Sequence, residues 1–597
     1  MCGIFGIVTQ DDQVLGPLLT DAGRRLSYRG YDSVGCATIN SQGMIDLRKD
    51  VGKVDEVAKR LNFAEMSGNR GILQLRWATF GHPSMENAQP HLDSDGDMVG
   101  AHNGNVVNNV ELRRQFIEEG MIVRSTNDGE SCVHAVERYV NRGKDMVEAI
   151  RLAYRDLEGD YAFVIGRVDE NRLYAIKKGS GLVAGIAEGA ICVSSDLPSI
   201  LPLTRKILRI LDGEIVIFSA DQIELRRVED GSRIEREPEI VQESMEAAQK
   251  GGYPHFMLKE IHEQVTVSGE LLHLLDKNRE IERVIQRIKS ARHLYLIGCG
   301  TSYHACILGS IYFSRLAGIT AIPVLAPQYI AQYAPAVTDQ DVGIFVSQSG
   351  ETKDVLNALE ASQRRNMGVL GLVNVIGSTL MRMSEFSLPL ACGYEISVPA
   401  TKTYYNQALT FLYLAQKLGG VSVEPLHTIP ALTEQTIAAT EPQIMEIFPS
   451  LNSWNDFYCL GYGLTYPVAL EGALKMKEIT YAHCEGMLST EFKHGPLSAV
   501  SQGYPVFFVS GPKDVPLIVS GINEVTCRGG CAIAIGEEDS RLKSNASKVI
   551  TLPASPSAEI NALIGVLPLQ ILSYQLSLAR GNDPDFPRNL SKTLTVD

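Results

Sequence analysis

The sequence predicts an α+β N-terminal part followed by two α/β domains, and three observations carry that prediction. Short apolar runs separated by turn residues fill the first ~225 positions: "GIFGIVT", "GILQLRWAT", "MVGAHNG", "YAFVIGRV", "RLYAIKK", "AICVSSD" and "EIVIFS". Helical patterns near 109–120 and 129–155 then place helices outside the sheets that such runs form. After a charged stretch at 226–252 the texture changes to apolar strand, Gly-rich turn and long helix, and this pattern occurs twice.

The repeat is measurable. "YLIGCGTSYHA" (295–305) matches "YCLGYGLTYPVA" (458–469), with Gly298 falling on Gly461 and Gly300 on Gly463, an offset of 461 − 298 = 163. "IFVS" (344–347) falls on "FFVS" (507–510) at the same offset of 163. Two coincidences at one offset indicate duplicated domains, at about 281–420 and 448–590, with 2–225 as the first domain, 226–280 as a connector that is exposed with some helix over 226–252, and 591–597 as a tail.

Composition narrows the function. The 597 residues are 45% hydrophobic and 21% charged, as in globular chains, and the net charge of −15 disfavours nucleic acid, which needs a basic surface. No stretch approaches eighteen uninterrupted apolar residues, so no membrane span is expected and the chain reads as cytosolic. Eleven cysteines without a CxxC pair or zinc-type His spacing point to reduced thiols, no metal and no cofactor.

The N-terminus "MCGIFGIV" places a cysteine where methionine removal would leave a thiol and a free α-amine on one residue. With an α-amine pKa near 8, Cys2 then carries a nucleophile and its base together. The plainer reading is a buried strand cysteine. In the second part "GCGTSY" lacks the third glycine and the downstream acid of a dinucleotide site; a short phosphate-bearing ligand with Ser302 as donor fits better. "VGIFVSQSGETKDVLNAL" (342–359) runs from an apolar strand through Ser347, Gln348, Ser349 and Thr352 into a helix. One hydroxyl would cap that helix; three with its free N–H groups form an anion site. In "ALEGALKMKE" Glu471, Lys475 and Glu478 share a helix face, either as a surface ion-pair row or, with His494 of "KHGPL" and Lys592 of "PRNLSKTLTVD", as parts for moving protons beside a carbonyl and forming a Schiff base.

Together "MCGI", "RRLSYRGYDS", "RWAT", "HNG", "SQSGET", "EGALKMKE", "KHGPL" and "PRNLSKTLTV" resemble the isomerizing glutamine–fructose-6-phosphate aminotransferases, nearly end to end. The resemblance implies an N-terminal-nucleophile glutaminase of layered antiparallel sheets with outer helices, then two sugar-isomerase (SIS) domains with mainly parallel sheets. It implies Cys2 as nucleophile, Asn103 and Gly104 as oxyanion hole, Arg76, Thr79 and Asp128 as binders of L-glutamine, and Trp77 as the gate of an ammonia channel. In the second part it implies Ser302, Ser347, Gln348, Ser349, Thr352 and Lys475 as sugar-phosphate binders and Glu478 as the base. His494 would open the sugar ring, supplied from the neighbouring subunit of a homodimer or larger oligomer, and Lys592 would form the imine with fructose 6-phosphate.

The sequence departs from that family's pattern at Phe80, where a histidine is expected, at Pro327 and Gln328, and at Pro399 and Ala400. The leading expectation is therefore glutamine-dependent amination and isomerisation of fructose 6-phosphate to glucosamine 6-phosphate. A paralogue acting on another sugar phosphate, and a non-catalytic SIS sugar-phosphate sensor, are the alternatives.

Overall fold

A computed structural model describes residues 2–78, 80–241 and 250–592, and these form two compact units, one up to residue 241 and one from Lys250 to Lys592.

The first unit is built on two antiparallel sheets. In one of eight strands, Gly3–Val14 lies between Ala190–Ser194 and Ser67–Arg76; in the other, of seven, Met98–Val106 pairs with Gly159–Arg167. Alternation along the strands gives each sheet two apolar faces. Ile4, Val8, Ala37 and Ile72 of the first sheet meet Val99, Val164, Ala175 and Val216 of the second in one core. The outer face of the second sheet, with Phe163, Ile165 and Ile176, is covered by Val133, Val136, Ile150 and Ala153 from the helices Asp128–Val140 and Met146–Asp156. The single helical run expected at 129–155 is thus two helices; Asp145 caps the second by accepting from the Glu148 N–H at 2.9 Å.

The second unit holds two parallel five-stranded sheets of identical topology. In chain order their strands are arranged second, first, third, fourth, fifth. Leu294–Gly298 lies between Ala321–Leu325 and Val342–Ser347 in one, and Asp456–Gly461 between His483–Leu488 and Pro505–Val509 in the other. The identical order is what duplication predicts, and the crevice between the first and third strands is the topological switch point where α/β sheets bind ligands. The helix Lys402–Gly419 is buried along nearly its whole length, polar residues such as Asn406, Gln407 and Thr410 included. The apolar stretch Ala558–Ala579 is 83% buried inside the protein and belongs to this core.

Within the segment read as a connector, 226–280, the structure has both strand and helix. Arg233–Ile234 and Glu239–Ile240 add short edge strands to the first unit's sheets. Phe256–Lys277 is a 22-residue helix with Met257, Ile261, Leu271 and Leu275 buried. Its apolar positions recur at helical spacing between charged residues, which a composition-level reading misses.

Candidate active sites

In the first unit, pairing of Gly3 with Leu75 and of Gly3–Val14 with Ala190–Ser194 brings Cys2 to the end of the strand Ser67–Arg76. Cys2 is 5% exposed; its Sγ accepts the Trp77 N–H at 3.3 Å and faces the Trp77 carbonyl at 3.5 Å. Arg29 Nε donates to the Cys2 carbonyl at 3.2 Å, fixing the backbone of the N-terminal residue. Burial pushes the thiol above its ordinary value, while the Trp77 bond and Arg76 work the other way. A thiol held so needs a base beside it before it can attack.

Arg76 is fully buried. Its Nη2 donates to the carbonyls of Phe80 and Gly81, while Nε and Nη1 have no partner among the described residues. Two buried donors left on one guanidinium give it hydrogen-bonding capacity and charge for an anion such as a carboxylate. Only the carbonyl of Phe80 enters this contact, so exchange of the expected histidine leaves the Arg76 anchor in place. Asn103, 1% exposed, has both side-chain amide atoms buried without partners among the described residues. Gly104 has φ of +113°, and a Cβ there would sit 2.1 Å from the Asp160 carbonyl, so only glycine fits. Asp128 Oδ2 accepts from the Val106 N–H at 3.0 Å and lies 3.5 Å from His102 Nε2, buried in the same region as Cys2 and Arg76. Thr79 lies outside the described residues. Trp77 packs edge-on to Tyr31 at 5.9 Å.

Two residues not expected to take part support this centre. Gln89 Oε1 accepts from the His102 N–H at 2.7 Å, just before Asn103. Lys49 Nζ closes the loop carrying Gln89 by donating to the carbonyls of Ala88 at 2.5 Å and Pro90 at 3.0 Å. His102 stands in the "HNG" motif itself; Lys49 and Gln89 have no local signature.

In the second unit, parallel pairing of Ile297 with Phe345 sets the turn after Gly298 beside the turn after Ser347. Ser302, Ser347 and Ser349 are buried there. Ser347 Oγ lies 3.0 Å from Thr352 Oγ1 and accepts the Gly350 N–H at 3.0 Å, while Ser349 Oγ accepts the Glu351 N–H at 3.1 Å. The turn is therefore folded around its hydroxyls at the start of the helix Lys353–Gln363, where free N–H groups favour an anion. Gln348 lies in the same turn, its carbonyl accepting from the Asn374 and Val375 N–H groups. Gln407 Nε2 donates to Ser302 Oγ at 3.0 Å, leaving that hydroxyl's proton free.

Glu471, Lys475 and Glu478 do not form a surface row. Glu471 and Lys475 side chains are 0% exposed and Glu478 18%. Lys475 Nζ donates to Glu478 Oε2 at 2.6 Å and to Thr301 Oγ1 at 3.1 Å. Glu471 accepts from Thr301 at 3.0 Å and pairs with His304 Nδ1 at 2.8 Å. Burial raises the Glu478 carboxyl above its ordinary value, opposed by Lys475 and by Lys592 nearby. A carboxylate so poised is a better base than one in water. Lys592 Nζ donates to Glu395 Oε2 at 2.5 Å and to the Ser397 carbonyl at 2.8 Å.

His494 is not brought to these groups. It is exposed on a short 3₁₀ turn, Phe492–His494, and no described side chain pairs with it. Residues 593–597 of the expected tail lie outside the described residues.

The residues around these centres match known families. The model of the SIS domain matches residues 287–417 and again 450–580, and that of the glutamine amidotransferase domain matches 75–202. A glutamine–fructose-6-phosphate aminotransferase [isomerizing] from Methanothermobacter thermautotrophicus is 40% identical over 603 residues, covering all of both chains. One of the same name from Aquifex aeolicus is 38% identical over 605 residues, again covering all of both. Among solved structures, the C-terminal domain of glucosamine-fructose-6-phosphate aminotransferase from Francisella tularensis aligns with a TM-score of 0.52 and 30% identity, covering 57% of this chain and all of that one. Tagatose-6-phosphate ketose/aldose isomerase from Escherichia coli shares the fold at 19% identity, with a TM-score of 0.50 over 56% of this chain and 95% of its own. With antiparallel sheets in the amidotransferase part, parallel sheets in both SIS parts and full-length relatives at this identity, the chain belongs to the isomerizing glutamine–fructose-6-phosphate aminotransferase family.

Proposed function

We propose that the protein transfers the amide nitrogen of L-glutamine to fructose 6-phosphate and isomerises the product to glucosamine 6-phosphate, releasing glutamate. With Met1 removed, the Cys2 α-amine takes the thiol proton and the thiolate attacks the glutamine amide carbonyl. Asn103 and the Gly104 N–H receive the developing oxyanion, while Arg76 and Thr79 hold the substrate carboxylate and Asp128 its ammonium. Ammonia is passed on without escaping to water, where it would be protonated and lost as a nucleophile, and Trp77 gates its exit. Ser302, Ser347, Gln348, Ser349 and Thr352 bind the sugar phosphate, Lys475 supports its binding, Lys592 forms the imine at the ketone carbon and Glu478 moves the proton between C1 and C2.

The observation that supports this reading is the Lys475–Glu478 pair at 2.6 Å, with Lys592 near enough for its charge to act on Glu478, a set of groups that a sugar-phosphate sensor has no use for. The exposure of His494 fits a residue that acts in the site of a second copy, so the working form is at least a homodimer. All eleven cysteines are unpaired, in keeping with a cytosolic enzyme.

Incubation with amide-¹⁵N-glutamine and fructose 6-phosphate is expected to place the label in an aminosugar phosphate. Labelled ammonia in solution with no aminosugar would overturn the reading. A rate at least tenfold higher on another ketose or aldose phosphate would favour the paralogue, for which Pro327, Gln328, Pro399 and Ala400 are the motive.

A further inference from the structure

Lys592 sits near the chain's end, yet its amine is fixed on every side. Its side chain is 4% exposed, and both acceptors of Nζ, Glu395 and the Ser397 carbonyl, are themselves anchored. Glu395 is fully buried at side-chain level. Its Oε1 accepts the N–H groups of Thr401 and Thr403, each at 3.0 Å, and its Oε2 accepts the Thr403 hydroxyl at 2.7 Å. These donors open the helix Lys402–Gly419, whose N-terminus favours a negative charge. From the helix Phe256–Lys277, Glu260 Oε1 accepts the N–H groups of Ile396 and Ser397, so the Ser397 carbonyl is held too.

We propose that Glu395 is the counter-ion of the Lys592 imine: it aims the amine at the sugar carbonyl and keeps the nitrogen protonated once it is bonded to carbon. The inference rests on the reading that Lys592 forms that imine. The charge balance makes the role specific. The Lys592 ammonium and the open-chain ketone become an iminium and one water. The N–C bond forms as the carbonyl π pair moves to oxygen; that oxygen takes two of the three nitrogen-bound protons and leaves as water. One proton stays on nitrogen and the charge remains +1 throughout, so a single fixed anion serves the whole step with no new charge to desolvate. An imine nitrogen is a weaker base than an amine, so without an anion beside it the iminium would lose its proton at neutral pH. The proton matters because only the iminium draws electrons from C1–H, which Glu478 removes, and leaves C2 electrophilic to ammonia.

The other charged groups around the pair are Glu260, Glu263 and Lys259 from the helix Phe256–Lys277, Lys402, and Glu478 from the helix Tyr466–Thr480. Lys402 is claimed by Glu263 at 2.6 Å. Burial pushes Glu260 up to about 8, so it is largely protonated at neutral pH, whereas Lys592 and the Thr403 donors hold Glu395 below its ordinary range against burial. Glu395 is thus the anion that faces the nitrogen.

The test measures fructose-6-phosphate isomerisation between pH 6 and 9 in Glu395→Gln and Glu395→Asp, with borohydride trapping of the sugar on Lys592. Glu395→Gln is expected to lower kcat at least 100-fold at pH 8, with at least tenfold recovery towards pH 6, where solvent protons restore the iminium, and KM within threefold. Glu395→Asp, which keeps the charge, is expected to retain the pH dependence of the unsubstituted protein at reduced kcat. A Glu395→Gln variant within fivefold of the original kcat, or reduced equally at all pH values, overturns the counter-ion role, as does the same pH slope in Glu395→Asp. If borohydride fails to trap sugar on Lys592 in the unsubstituted protein, the imine reading itself falls and the counter-ion with it.

Discussion

The Lys475 ammonium is shared by two carboxylates of its own helix, 2.6 Å from Glu478 Oε2 and 3.3 Å from Glu471 Oε1. Its charge works against the burial that raises Glu478 and so favours the ionised carboxylate. Lys475→Met removes that opposition, and the Glu478 carboxyl then rises further. Because Glu478 acts as a base only when ionised, sugar isomerisation is expected to fall at least 100-fold at pH 7 and its optimum to move alkaline. A pH–rate profile of isomerisation checks this; an unchanged optimum would remove Glu478 from the role of base. The same change leaves Glu471 and Glu478 without their buried partner and is expected to lower stability by about 3 kcal/mol.

Gln407 makes a different kind of contribution. Its donation to Ser302 Oγ fixes the hydroxyl's orientation, so Ser302 meets a phosphate with its proton. Gln407→Leu preserves the volume and deletes that hold, with an expected rise of about tenfold in KM for the sugar phosphate, the equivalent of ~1.4 kcal/mol, and kcat within threefold. Steady-state kinetics on fructose 6-phosphate separate the two constants. A fall in kcat with KM unchanged would contradict a binding role.

What the sequence shows and what it hides follow the same divide. Ser347, Ser349 and Thr352 are legible because one turn holds them all, and Gly104 because its conformation excludes a Cβ. Gln407, Glu395 and Glu260 are not, since each meets one of its partners more than a hundred residues away along the chain; a buried acid then looks like any surface Glu. His304 is hidden for a related reason, as its partner Glu471 is 167 residues away. The duplication of the α/β domain was legible from the 163-residue offset, while the helix Phe256–Lys277 was masked by charges on its exposed face.

In the first unit, His134 lies fully buried between Glu137 Oε2 at 2.6 Å and Glu130 Oε1 at 3.6 Å. Burial opposes its charge, but the two carboxylates raise it above its ordinary value. Burial likewise opposes the charge on Glu130, yet His134, His91 and the Arg124 and Ser125 donors hold it at about 2. The signs then follow. The raised His134 contributes stability that is complete below its unfolded pKa of about 6.5 and is lost as pH rises through its folded value. The depressed Glu130 contributes stability that is complete above about 4.5 and is lost as pH falls towards its folded value. The cluster therefore stabilises most between about pH 4.5 and 6.5. His134→Gln is expected to cost about 3 kcal/mol in that window and less at pH 8. The temperature at which glutamine hydrolysis is lost, followed from pH 5 to 8, reads this directly; an equal loss at both ends would mean that the cluster is held by packing alone.

In the proposed reaction Cys2 and Lys592 act on different carbonyls, and each lies in its own compact unit. Cys2→Ala removes the thiol while the Arg76 and Asn103 donors stay, so glutamine binds but is not hydrolysed, and sugar isomerisation to glucose 6-phosphate is expected to persist within threefold. Lys592→Ala removes the amine that Glu395 and Ser397 hold; amination is expected to fall by at least 10³ while hydrolysis of glutamine continues at a reduced rate. Separate assays of glutamate and sugar products on the two purified variants provide the check. Loss of both activities in Cys2→Ala, with its circular dichroism unchanged, would break the two-site account. Cys2 would then be a strand residue whose place in the core, 5% exposed against Trp77, matters more than its thiol.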